Sequence, residues 1–194
     1  MSDSYKHSYK MGEDFLNSLS VYNVGYQKCE PEYQWGTGAS GIITVSIIFF
    51  SGSGVYTTGK VTVRLSAGDT FILFPGVELQ YQADKDEPWE YCWAGFMGTD
   101  AASIIRNTGF SKETPYILKG KIPEKEIRSG LEEIYQNKGN TYESSVAMTG
   151  SLYSLLAVFM HYADKRDTEK DSHVMYVEKA MSYIRDKLFL SGHD

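Results

Sequence analysis

From Val21 to Phe96 the apolar residues fall in short runs and alternations, broken at nearly even intervals by Gly and Pro. That is a β pattern with turn punctuation. It predicts strands at Val21–Lys28, Ile42–Phe50, Val55–Thr58, Val61–Leu65, Thr70–Phe74, Val77–Ala83 and Trp89–Phe96. Turns are predicted at Ser51-Gly52-Ser53-Gly54, Gly59-Lys60, Gly68-Asp69 and Pro75-Gly76. The run Phe71–Phe74 is apolar at every position, as in a strand covered on both faces. In the last strand Trp89, Tyr91 and Trp93 share one face, because strand side chains alternate. So many short strands imply a sandwich or a barrel.

Beyond Thr99 the period becomes helical. Thr99 or Asp100 is placed to cap a short helix ending at Gly109. Pro123 suits the first residue of a second helix, closed by Gly139. The strongest helix is predicted over residues 141–163, where Val146, Met148, Leu152, Leu155, Leu156, Phe159 and Met160 recur at spacings of three and four. Residues 164–171 are almost wholly charged and read as a solvated linker. A last helix from Ser172 carries Val177, Ala180, Met181, Ile184 and Leu188 on one stripe. Residues 1–19 are polar with scattered Tyr5, Tyr9, Phe15 and Leu16, and read as a frayed terminus or a docked arm.

Composition narrows the function. The 194 residues carry a net charge of -6, which disfavours a phosphate-neutralising face on this chain. Fifteen tyrosines and three tryptophans supply rings for a binding surface as well as a core. Cys29 and Cys92 lack metal-type spacing and are expected as reduced thiols in a cytoplasmic protein. No run approaches membrane-spanning length, so no membrane association is expected. The four histidines, His7, His161, His173 and His193, all lie outside the β region, so no metal and no other cofactor is expected in it.

The order Gly68-Asp69, Phe74-Pro75-Gly76, Tyr81, Asp86-Glu87-Pro88-Trp89-Glu90-Tyr91 and Trp93 resembles the effector-binding domain of AraC-type (arabinose-regulator) transcription factors. Cys29-Glu30-Pro31, Ser51–Gly54 and Tyr176–Arg185 extend that resemblance over roughly residues 22–188. It implies a mainly β, cupin-like barrel followed by C-terminal helices. The implied organisation is an arm at 1–19, a barrel at 20–98, a helical dimerisation region at 99–163, a linker at 164–171, and the first helix of a truncated DNA-binding domain at 172–194. Leu79 stands where cupins carry a metal-binding histidine.

The resemblance places Tyr81, Tyr91 and Trp93 against a small-molecule effector, with a carbohydrate as the expected class. Sugars stack their C–H faces on such rings and need a few polar partners. Trp35 falls in the loop that carries pocket residues, although the arginine usual there is missing. The arm would then fold over the pocket. The long helix would pair with a second subunit through Leu152, Leu155, Leu156 and Phe159, giving a homodimer, with DNA contacted only through the missing domain. No catalytic residues are expected. The rival reading is a metal-free cupin sugar isomerase or epimerase, which requires a buried acid/base pair.

Overall fold

The computed structural model describes residues 4–10, 16–37, 44–59 and 61–163. Among these, strands β1 (Tyr5–Lys10), β2 (Ser20–Lys28), β4 (Thr44–Ser51), β7 (Thr70–Leu73), β9 (Glu90–Met97) and β10 (Tyr116–Ile117) form one sheet, in the order β1-β2-β9-β4-β7-β10. Strands β3 (Gln34–Thr37), β5 (Ser53–Thr58), β6 (Val61–Ser66) and β8 (Leu79–Ala83) form a second, in the order β3-β8-β5-β6. Helices α1 (Ala101–Arg106), α2 (Glu124–Gln136) and α3 (Tyr142–Tyr162) follow.

Strands β7 and β9 of the first sheet are buried on both faces, and strand alternation sorts their residues between them. Ile72, Cys92, Ala94 and Phe96 face a core shared with the helices. Phe71, Leu73, Tyr91 and Trp93 face a second core, shared with Tyr56, Leu65, Leu79 and Tyr81 of the opposite sheet. The second core is the barrel interior. The all-apolar run Phe71–Leu73 is buried at every position, as a strand between two layers must be. The turn before it uses Gly68 at φ +87, and Asp69 closes it by accepting from the Ser66 amide at 2.7 Å.

Expected and observed elements differ in instructive places. Ser51–Gly54 is not one turn: Gly52 turns at φ +71, while Ser53 and Gly54 already belong to β5. Trp35, expected in a loop, lies in β3, which pairs with β8. Residues 5–10, polar and without period, form an edge strand on β2. Neither β1 nor β3 has an apolar alternation to betray it. Pro123 precedes its helix as the cap residue, with extended ψ 118. The first helix stops at Asn107 rather than Gly109, and the Asp100 side chain makes no capping bond. Thr141 does cap α3, accepting from the Ser144 amide at 3.1 Å. The expected linker at 164–171 and helix from Ser172 lie outside the described residues.

Candidate functional site

Strands β2 and β9 pair antiparallel, so residues opposite one another share a face. Gln27 stands opposite Tyr91, Gly25 opposite Trp93, and Asn23 opposite Gly95. The Tyr91 hydroxyl donates to Gln27 Oε1 at 3.0 Å. Its proton is thus committed, and the Tyr81 hydroxyl, 3.2 Å away, donates to it in turn. Trp35 stacks on Tyr81 with ring centroids 5.2 Å apart and an interplanar angle of 28°. Tyr91 and Trp93 lie 5.8 Å apart. The four residues singled out in the sequence are therefore one contiguous group of rings, with Tyr81 at its hub. Trp89 belongs to the core: it is fully buried and lies so close to Gly54 that a Cβ there would stand 2.2 Å from its ring.

The group is neutral. Burial pushes the Tyr81 and Tyr91 phenols far up from their ordinary range, and the neighbouring Tyr81 adds to the rise at Tyr91. Burial likewise raises the Cys29 thiol to about 12. Lys6 of β1 places its Nζ 5.5 Å from the Trp93 ring centroid. On the opposite face of β1, the Tyr9 hydroxyl donates to the Gly139 carbonyl at 2.6 Å. Among the described residues no cluster of three or more His, Cys, Asp or Glu could hold a metal ion. Tyr81, Tyr91 and Trp93 are buried and Trp35 is half-buried, so the arrangement is a packed group of rings with hydroxyl and amide tips, whose two phenols stay protonated near neutral pH.

A model of the family described as "AraC-like ligand binding domain" matches residues 44–156. The chain belongs to this family. The Msm operon regulatory protein of Streptococcus mutans serotype c is 30% identical over 83% of this chain and 59% of its own length. The raffinose operon transcriptional regulatory protein of Pediococcus pentosaceus is 26% identical over 86% of this chain and 61% of its own. The chain thus spans about 60% of the length of these curated relatives. A solved cupin 2 conserved barrel domain protein from Salinispora arenicola CNS-205 is 19% identical, with a TM-score of 0.37 over 54% of this chain and 82% of that one.

Within this AraC-like domain the expected dimer contacts need correction. Leu152, Leu155, Leu156 and Phe159 are at most 2% exposed within the protomer. They pack into the core that α3 shares with α2 and the first sheet. Leu155 comes so near Gly130 that a Cβ there would stand 2.9 Å from its Cδ1. The apolar stripe on α3 is wide because the helix meets two neighbours, α2 and β2, on its inner side. Its outward side carries a different row: Tyr142, Val146, Tyr153 and Met160 are 62, 48, 41 and 36% exposed. Val146, Tyr153 and Met160 recur every seven residues, with exposed Gly150 and Ala157 between them. A periodicity count could have found that row, had α2 been placed against the other side.

Sequence reasoning also passed over a groove of about 460 Å3 lined by Gln34, Trp35, Gly36, Thr57, Glu78 and Gln80. Its lining joins the exposed Gly36, Thr57 and Gln80, which pair across β3, β8 and β5, to Trp35 and the buried Thr58 and Leu79 of the opposite parity, so the groove takes in residues from both faces of the second sheet. Isolated polar residues and a glycine on three strands carry no linear signal.

Proposed function

We propose that this chain is the effector-binding and dimerisation part of an AraC-type transcription regulator, and that its effector is a neutral carbohydrate. One observation carries the reading: the stacked and hydrogen-bonded row Trp35–Tyr81–Tyr91–Gln27 beside Trp93 alternates aromatic faces with uncharged polar tips. Such a surface fits the C–H faces and hydroxyls of a sugar. One relative is a regulatory protein of a raffinose operon, which agrees. Strand β1, with Lys6 over Trp93, is the arm that borders the site.

The outward row of α3 serves as the contact to a second copy, since an isologous pairing of one apolar stripe is the commonest homo-oligomer geometry. DNA is contacted by parts of the whole protein outside this chain. The isomerase reading loses support because both buried tyrosines are held protonated and so make poor bases.

The test is a thermal-shift and calorimetric screen of the purified domain against neutral mono- and oligosaccharides, raffinose and lactose among them. Saturable binding of at least one sugar, lost in Trp93→Ala, is expected. A domain that converts a sugar of the panel overturns the regulator reading in favour of the isomerase, and one that binds none removes the carbohydrate from this account.

A further inference from the structure

The inward face of β2 carries a row that the ring group does not use up. Gln27, Gly25 and Asn23 alternate along it, opposite Tyr91, Trp93 and Gly95. Gly25 is a seat for the Trp93 indole: a Cβ there would stand 2.6 Å from both Cη2 and Cζ2 of that ring. The indole therefore lies along β2 between two amides. One is Gln27, whose Oε1 is occupied by the Tyr91 hydroxyl, which leaves its two N–H donors for another acceptor. The other is Asn23. Its Oδ1 is buried and has no hydrogen-bond partner. The strand position facing it is Gly95, which contributes no side chain to fill the space.

A buried acceptor without a donor is costly, because it has given up water and gained nothing. Most folds avoid it, and those that keep one tend to do so at a functional site. The bulge between Val21 and Asn23 makes the arrangement possible. It shifts the register by one residue and turns Asn23, rather than Tyr22, to the face of Trp93.

We propose that Asn23 is a specificity-determining residue of the effector site. Its Oδ1 accepts a hydrogen bond from a hydroxyl of a ligand stacked on Trp93, and the Gln27 amide donates to an oxygen of that ligand on the other side of the indole. This rests on the carbohydrate reading above and sharpens it. The ligand is a neutral, polyhydroxylated molecule with hydroxyls flanking an apolar ring face.

The test compares the wild-type domain with Asn23→Leu and Asn23→Ala. Melting temperature is read without ligand, and affinity by calorimetry with raffinose and lactose as probes. Leucine has nearly the shape of asparagine and lacks the unpaired acceptor. Asn23→Leu should therefore melt no lower than the wild type, yet bind the responding sugar roughly tenfold more weakly, the scale of one lost hydrogen bond to a desolvated partner. A structural asparagine would lose stability in both variants with no change in the affinity of whatever remains folded, and that result overturns the proposal. If Asn23→Leu does not fold, Asn23→Ala must show the same loss of affinity. An Ala variant that binds as tightly as the wild type also overturns it. Equal sugar binding by wild type and Asn23→Leu sinks only the role of Asn23. A wild type that binds neither these probes nor any other neutral sugar sinks the carbohydrate reading and this proposal with it.

Discussion

The residues that define the site are held by burial as much as by bonding. Trp93 is fixed on one side by the absence of a side chain at Gly25. Tyr91 is fixed by donating a hydrogen bond to Gln27 Oε1. Trp93→Ala removes an apolar platform, and should weaken a stacked sugar by about 1–3 kcal/mol in a calorimetric titration, the worth of burying one large side chain. An unchanged affinity would mean that the ligand lies elsewhere. Burial also sets a pH dependence. The Cys29 thiol, at 9.0 in its ordinary state, is pushed up to about 12, and burial lifts the Tyr56 phenol to about 12 as well. The folded protein holds these protons after the unfolded chain has released them. Their contribution to stability is therefore complete below the unfolded values and is lost as pH rises toward the folded ones. Melting temperature should fall steadily between roughly pH 9 and pH 11, and Cys29→Ala should flatten part of that slope. A melting temperature that stays level over this range would contradict the assignment.

At the scale of elements, α3 is a helix with two apolar sides that serve different neighbours. Its inner side is legible in the sequence as a stripe at spacings of three and four. The outer side was obscured by it, because both draw on the same residue types. The two sides predict opposite outcomes for one kind of substitution. Leu155→Glu places a charge in the core shared with α2 and should unfold the domain, since an unpaired buried charge typically costs several kcal/mol. Tyr153→Glu lies on the exposed row and should leave circular dichroism unchanged while converting a dimer to a monomer in sedimentation. A wild type that remains monomeric at high micromolar concentration would withdraw the dimer. The contact of Gly130 with Leu155 adds a check on α2 itself. Gly130→Val overfills that contact and should lower stability by about 1–3 kcal/mol in chemical denaturation. If the variant is as stable as the wild type, the two helices are further apart than the geometry indicates.

For the whole molecule, the net charge of -6 predicts no specific duplex-DNA binding by this chain alone. A mobility-shift assay with the upstream region of its own gene, at physiological salt, is the check, and a specific shift would refute it. Some of what makes this protein was determined by the chain itself. The β-to-helix change near Thr99, most of the turns, and the placing of Trp89, Tyr91 and Trp93 on one face all follow from local periodicity. Periodicity is local chemistry repeated along a line, so a line of residues suffices to show it. The family and the ring group at Tyr81, Tyr91 and Trp93 followed from motif order, which is also linear. The tertiary structure alone decided the rest. It made Trp35 a strand residue, enlisted residues 5–10 as an edge strand, and turned Leu152, Leu155, Leu156 and Phe159 inward. It also set Asn23, Gly25 and Gln27 against the rings. Each of these depends on which residue stands opposite which across a sheet or between helices. That pairing joins positions up to about seventy residues apart, from Gln27 to Tyr91 and from Asn23 to Gly95, so no window of sequence contains it.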